Sequence, residues 1–159
     1  MEKEAFLDLA ISQERTLYRV AKTILRSDAD CADAVQETLL KAIQGLNRLR
    51  NEEYVKTWLV RILINTSKDM LRKKHRTETA PLDERYPAPD DSRQRELYAA
   101  LRELDEKLRL PLTLHYLEGF SLREVGRMLS IPEGTVKRRL WTARQQLREK
   151  LSEGGGTNG

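Results

Sequence analysis

The sequence predicts an all-α fold of two small helical modules, an N-terminal helical bundle and a C-terminal helix-turn-helix, joined by a flexible linker. Apolar residues recur at intervals of three and four, no stretch alternates as a β-strand does, and three of the five prolines lie between residues 77 and 93 among acidic residues. We predict the first module over residues 1–76, the linker over 77–93, the second module over 94–151 and a disordered tail over 152–159.

Three helices are predicted in the first module. Apolar residues spaced by three and four indicate one long helix that ends near residue 26, a second over residues 27–46 and a third over residues 53–75. Ser27 precedes the second helix and is a residue type that caps helix N-termini. Helices of this length with one apolar face are expected to close into a small bundle.

The second module is predicted to begin near Gln94, where leucines form a stripe over residues 97–108. Pro111 is predicted to begin a further short helix that runs through Tyr116, because proline is tolerated in the first turn of a helix.

A helix-turn-helix follows. Ser121 and Glu124 have the spacing of a capping box at the start of one helix. Residues 130–132 form the turn, and Pro132 suits the first turn of a second helix that begins near Glu133. The small residue Gly134 would allow the start of this helix to approach a DNA backbone closely.

Composition excludes several classes of protein. The chain has 159 residues and a formal charge of +4, and no apolar run or signal peptide indicates a membrane or secreted protein, so we expect a cytoplasmic protein. Its single cysteine, Cys31, excludes an internal disulfide. A helix start lowers a thiol pKa whereas acidic neighbours raise it, and we favour an unreactive thiol over a redox-sensitive one.

Charge is distributed unevenly along the chain. Residues 28–40 hold four acids and no cation, residues 56–76 hold seven Lys or Arg against one acid, and residues 133–150 hold six against two. The basic segments favour nucleic acid. The acidic helix indicates a protein partner, although ordinary solvation with acids near a helix N-terminus would also produce it.

No enzyme or metal site is predicted. The acids form no paired-carboxylate pattern, and His75 and His115 stand apart from any cysteine. We expect no catalytic residue, no metal, no cofactor and no small-molecule substrate.

Four blocks of residues are similar to a known family. They are Asp33–Ala42 (DAVQETLLKA), Lys56–Asn65 (KTWLVRILIN), Tyr116–Ser121 (YLEGFS) and Gly134–Lys137 (GTVK). Over residues 17–148 they resemble, in order and spacing, the bacterial RNA polymerase sigma factors of the extracytoplasmic-function (ECF) group. The resemblance implies an initiation subunit that binds the largest and second-largest subunits of core polymerase, recognises promoter DNA and promotes its melting.

The resemblance also assigns roles in the first module. The acidic helix would dock on core polymerase through Asp33, Gln36, Glu37 and Lys41. The next helix would capture the melted −10 element through Lys56, Arg61, Asn65, Lys68, Asp69, Arg72 and Lys73. Asn65 would line a pocket for an extruded base, although a lone Asn is also a common surface residue. Trp58 could stack on a base, but we favour core packing because it lies in the apolar stripe.

In the second module the resemblance assigns reading of the −35 element to Ser121, Glu133, Thr135, Lys137, Arg138, Arg139, Trp141, Thr142 and Arg144. The chain departs from the family at Arg138, where a small hydroxyl residue is common, and at Thr142, where an arginine is common. Thr142 can contact a phosphate or a thymine methyl but cannot make a bidentate guanine contact.

The resemblance further implies an anti-sigma protein that holds the chain inactive. The alternative is a plain helix-turn-helix repressor or activator, which would explain residues 114–148. That alternative does not explain the acidic helix. It also requires a dimer surface, because such regulators read a two-fold DNA site.

Overall fold

The computed structural model describes the backbone of residues 1–77 and 92–155 and the side chains of residues 1–74 and 96–152. All regular elements in these ranges are helical, so the all-α prediction is confirmed. The chain divides into two compact units, as predicted. Residues 78–91 of the predicted linker and residues 156–159 of the predicted tail lie outside the described residues.

The first unit contains four α-helices and two 3-10 turns. The helices are α1 (Lys3–Ser12), α2 (Glu14–Ile24), α3 (Asp28–Gln44) and α4 (Val55–Thr77), and the 3-10 turns Leu46–Arg48 and Glu52–Tyr54 connect α3 to α4. Their apolar faces meet in a mostly aliphatic core, which includes the fully buried residues Phe6, Leu17, Leu59, Leu63 and Ile64.

The prediction of one long first helix was wrong. The chain turns at Gln13 between α1 and α2, although no glycine or proline marks the break. The Leu9 carbonyl accepts both the Ser12 hydroxyl at 2.5 Å and the Gln13 amide at 3.1 Å, and the Gln13 amide is shared with the Ala10 carbonyl at 3.1 Å, as is common at helix ends. The predicted Ser27 cap is confirmed, because its hydroxyl accepts the Asp30 amide hydrogen bond.

An ion pair joins the end of α2 to the start of α3. The Lys22 ammonium, whose side chain is 1% exposed, lies 2.5 Å from Asp28 Oδ1 and donates to the Arg26 carbonyl at 2.9 Å. The Tyr18 hydroxyl donates to the same Asp28 oxygen at 2.7 Å. These bonds fix the direction in which α3 leaves the turn.

Cys31 lies in the core on the first turns of α3. Its thiol is fully buried and contacts the Leu25 carbonyl at 3.6 Å. Burial raises the pKa of this thiol from 9.0 to about 12, and Asp28 and Asp30 act in the same direction while Lys22 opposes them. Thiolate is the reactive form, so the structure favours the unreactive interpretation.

The second unit is built from α5 (Ser92–Glu103), α6 (Glu106–Leu112), α7 (Leu122–Leu129) and α8 (Glu133–Gly155), with a π-helical turn at Thr113–Leu117. Leu110, Leu114, Val125, Val136 and Leu140 are among its buried residues. They place α8 against the helices that precede it.

Three boundaries in the second unit differ from prediction. Asp105 lies outside the helices and interrupts the leucine stripe, so α6 begins at Glu106 and not at Pro111. Pro111 lies inside α6, where it cannot donate the usual helical hydrogen bond to Lys107. Helix α8 continues to Gly155, so residues 152–155 are helical and not part of the predicted disordered tail.

The turn between α7 and α8 follows the predicted helix-turn-helix. Ser121 Oγ accepts the Glu124 amide hydrogen bond at 3.1 Å, and Glu124 Oε1 accepts that of Ser121 at 3.0 Å, which confirms the capping box. Helix α7 ends at Ser130 in the left-handed conformation, with φ of 58°. The Ile131 amide then donates to the Gly126 carbonyl at 3.0 Å, and α8 begins at Glu133 as predicted.

Candidate nucleic-acid and protein interfaces

The outer side of α3 is acidic with one apolar residue. Asp33, Gln36 and Glu37 are all exposed, and Leu40 beside them is 61% exposed. We call these four residues the acidic face. Leu40 was not among the predicted site residues, although its spacing of three and four from Glu37 and Gln36 places it on the polar side of the helix. An exposed leucine bordered by carboxylates suits a protein partner with basic and apolar groups.

Behind the acidic face, α3 and α4 form a cleft of about 410 Å³. The α3 side of this cleft and the turn that follows contribute Lys41, Gln44, Gly45 and Arg48. Lys41 was predicted to contact polymerase together with the acidic residues, but its ammonium donates to the Thr66 hydroxyl on α4 at 3.0 Å. The structure therefore places Lys41 at the edge between the acidic face and the cleft.

The α4 side of the cleft contributes Trp58, Ile62, Asn65 and Thr66. Trp58 is half-buried and makes an edge contact with Phe6, with ring centroids 6.3 Å apart, so part of its ring packs in the core and part lines the cleft. The exposed Asn65 amide and the indole combine hydrogen-bonding and stacking groups in one concave site. No acid is among the described residues that line it, and such a site suits a nucleobase with its phosphate.

Several of the predicted DNA-binding residues of α4 share one side of the helix with this cleft. Arg61, Asn65, Lys68 and Arg72 are spaced by four, three and four residues and so form one stripe. Lys56 is exposed nine residues before Asn65 and therefore lies half a turn away. The structure does not group Lys56 with the cleft.

The remaining predicted charges on α4 lie toward its C-terminal half. Asp69 pairs with Arg72, so this acid orients a basic side chain. Lys73 is exposed. Lys74, which was not among the predicted residues, lies 2.6 Å from Asp30 and ties the basic end of α4 to the start of α3.

The outer face of α8 centres on Trp141, which is 60% exposed. Lys137 and Arg138, which precede it by four and three residues, and Arg144, three residues after it, are exposed on the same side. Arg148, seven residues after Trp141, extends this basic stripe and was not among the predicted residues. Arg139 is half-buried and lies on the opposite side of α8 from Trp141, so the structure separates it from the predicted reading positions.

Glycine and hydroxyl residues complete this surface. A β-carbon at Gly134 would meet nothing within 4 Å, so packing within the chain does not require glycine there. Thr135 accepts a hydrogen bond from Arg138 at 3.1 Å, and the Thr142 hydroxyl donates to the Arg138 carbonyl at 3.1 Å. Both threonines therefore interact with the helix that carries them.

Arg144 is held by a residue outside α8. Its Nη1 donates to the Tyr116 hydroxyl at 2.7 Å, and its guanidinium carbon lies 5.9 Å from the centre of the Tyr116 ring. Tyr116 belongs to the π-helical turn and is 49% exposed. This contact had no signal in the sequence, because the two residues are separated by 28 positions.

The part of the chain that the structure describes has neither a metal-binding cluster nor a membrane-spanning helix. Among the side chains of residues 1–74 and 96–152, no group of three or more His, Cys, Asp or Glu residues could hold a metal ion. None of the helices described in those ranges has the length and apolar character needed to cross a bilayer.

Comparison with known families and curated relatives gave consistent matches. The family model for sigma-70 region 2 matches residues 10–77 and the model for sigma-70 region 4 matches residues 94–147. ECF RNA polymerase sigma factor SigM of Mycobacterium tuberculosis is 34% identical, and the alignment covers 94% of this chain and 79% of SigM. RNA polymerase sigma factor SigV of Bacillus subtilis is 29% identical over 88% of this chain and 87% of its own.

Solved structures share the fold. The sigma factor RpoE from Bartonella quintana, solved in complex with the anti-sigma factor NepR, aligns with a TM-score of 0.82 and 25% identity over 94% of this chain and 98% of its own. CnrH, solved in complex with the cytosolic domain of CnrY, aligns with a TM-score of 0.71 and 23% identity over 96% of this chain and 90% of its own. The chain therefore belongs to the sigma-70 family of RNA polymerase sigma factors, in its ECF group.

Proposed function

We propose that the chain binds core RNA polymerase through the acidic face, captures the melted −10 strand with the cleft and the basic stripe of α4, and reads the −35 element with α8. The observation that carries this proposal is the arrangement of α3, which presents the acidic face on one side and a wall of the cleft on the other. A plain helix-turn-helix regulator requires neither the acidic face nor the cleft. The acidic face repels DNA. With polymerase bound on that face, the strand would approach the chain from the side of the cleft.

The chemistry of the cleft supports strand capture. Taking a base out of the stack costs a few kcal/mol, and stacking on an aromatic side chain returns about 1–3 kcal/mol per base. Trp58 supplies that ring, Asn65 supplies an amide that can bond a base edge, and Lys41 and Arg48 supply positive charge at the walls. These groups bind and position DNA and require no catalytic step from the chain itself.

Family membership supports the remaining parts of the proposal. We infer that the chain is not an enzyme, that it acts in the cytoplasm where polymerase transcribes, and that an anti-sigma protein holds it inactive, as NepR is bound to RpoE. Residues Ser121, Glu133, Thr135 and Thr142 would contribute contacts at the edges of the α8 surface.

Run-off transcription with purified core polymerase tests the polymerase contact. The double variant Asp33→Lys/Glu37→Lys should abolish promoter-specific transcripts and binding to core enzyme. The matched control Asp8→Lys/Glu14→Lys makes the same charge change at two exposed acids outside the acidic face and should retain both. Equal transcription by the two double variants would refute the docking face, and DNA binding without any effect on polymerase would favour the repressor interpretation.

Strand capture is tested by the reactivity of unpaired thymines to permanganate at a promoter found in that experiment. Asn65→Ala should reduce promoter opening while −35 duplex binding stays unchanged. Asn47→Ala removes an exposed amide that does not line the cleft and serves as control. Normal opening with Asn65→Ala would refute its assignment to the cleft.

A further inference from the structure

Lys41 lies where the acidic face meets the cleft. Its ammonium donates to Thr66 at 3.0 Å inside the cleft and lies 3.5 Å from the Glu37 carboxylate on the acidic face. The Lys41 side chain is 43% exposed and that of Glu37 is 51% exposed. One cation is therefore shared between two surfaces to which we assign different partners.

We propose that Lys41 contacts DNA in the cleft, and that its ion pair with Glu37 weakens this contact until polymerase binds Glu37. This inference rests on the proposed function and adds a coupling between its two surfaces. The ammonium has three donors, and its flexible stem lets it leave Glu37 without movement of α3 or α4. A basic group of polymerase that pairs with Glu37 would release Lys41 toward a phosphate of the captured strand.

The size of the coupling follows from the exposure of the pair. Half-exposed ion pairs at this helical spacing change an equilibrium by about twofold, so neutralising Glu37 should strengthen single-strand binding by about twofold. Asp33 provides a matched control, because it is an exposed acid of the same face two helical turns from Lys41. Neutralising Asp33 changes the net charge equally without freeing Lys41.

The experiment measures binding of the full chain to a fluorescein-labelled pool of single-stranded 12-mers of random sequence, by anisotropy over a range of salt concentrations. Lys41→Met should weaken binding and lower the slope of log affinity against log salt by about 0.7, the value for one lost phosphate contact on single strands. Glu37→Gln should strengthen binding about twofold and Asp33→Asn by less. In the Lys41→Met background, Glu37→Gln should have no effect.

Three other results would each contradict one step of this inference. Equal gains from Glu37→Gln and Asp33→Asn would show a general charge effect and overturn the coupling. An unchanged salt slope for Lys41→Met would show that Lys41 only bridges the helices, and Thr66→Val, which removes its acceptor, would then reproduce the loss. Failure of both the wild-type chain and Glu37→Gln to bind the pool would overturn this inference, because freeing Lys41 would then not give the cleft affinity for a strand. The proposed function, in which polymerase covers the acidic face before the cleft takes the strand, would still be decided by the permanganate experiment with Asn65→Ala, and the other two outcomes leave it intact.

Discussion

The ion pair between Lys22 and Asp28 should respond asymmetrically to the removal of its two partners. The Lys22 side chain is 1% exposed, whereas that of Asp28 is 52% exposed. Removing the carboxylate in Asp28→Ala leaves an ammonium inside the core with the Arg26 carbonyl. Removing one partner of a fully buried pair costs about 3–5 kcal/mol. Because Asp28 is half exposed and water can reach the position that its carboxylate leaves, we expect a smaller loss, about 2–3 kcal/mol, in the free energy of unfolding of the first unit.

The reverse change should cost far less. Lys22→Met keeps an unbranched chain of similar size and removes the buried charge, while Asp28 retains the Tyr18 hydrogen bond and contact with water. Replacing a buried charge by an apolar group is close to neutral in many proteins. We expect a change of about 1 kcal/mol, mainly from the lost hydrogen bond to Arg26.

Hydrogen exchange followed by mass spectrometry measures these changes, because peptides from residues 1–77 report the opening free energy of the first unit within the full chain. Tyr18→Phe controls for the hydrogen bond that Asp28→Ala also removes. A cost for Lys22→Met equal to or above that for Asp28→Ala would refute the reasoning, since the buried charge would then not be the source of the instability.

Three further outcomes are expected. Tyr116→Phe and Arg144→Ala should each lower the free energy of unfolding by less than about 1 kcal/mol. Because the two residues contact each other, the loss in the double variant should be smaller than the sum of the two single losses. Arg148 does not make this contact, so the losses from Arg148→Ala and Tyr116→Phe should add. If Lys137 contacts a base, Lys137→Ala should weaken −35 duplex binding by about 1–3 kcal/mol. An equal loss on every DNA sequence would show that Lys137 contacts a phosphate and not a base. Because burial raises the pKa of Cys31 from 9.0 to about 12, the unfolded state loses its thiol proton first as pH rises. The free energy of unfolding should therefore fall between pH 9 and 12 by up to about 1.4 kcal/mol per pH unit, and Cys31→Ala should lack this component.

Local signals in the sequence predicted the elements that depend on neighbouring residues. Ser27 and Ser121 cap their helices as expected, because an N-cap bond reaches only two or three residues along the chain. The breaks at Gln13 and Asp105 were missed. Neither has a glycine or proline nearby that would have ended the apolar periodicity, so a continuous helix satisfied the same pattern.

Contacts between helices could not be predicted in this way. The resemblance grouped Lys41 with the acidic residues that contact polymerase, but its partner Thr66 lies 25 positions away on another helix. Arg144 meets Tyr116 across 28 positions. Each contact depends on how two helices pack, and the charge of a residue does not indicate which neighbour will face it.

The two tryptophans of the chain fall one in each candidate DNA surface. Trp58 is half-buried at the cleft of the first unit, and Trp141 is 60% exposed on α8 of the second. Their emission should differ in wavelength and in quenching by iodide, because one indole is partly shielded and the other is surrounded by water. Replacing either one by phenylalanine would leave an intrinsic optical reporter of the other surface. Promoter binding could then be followed at each unit separately, without an attached dye, and the order in which the two surfaces engage could be timed.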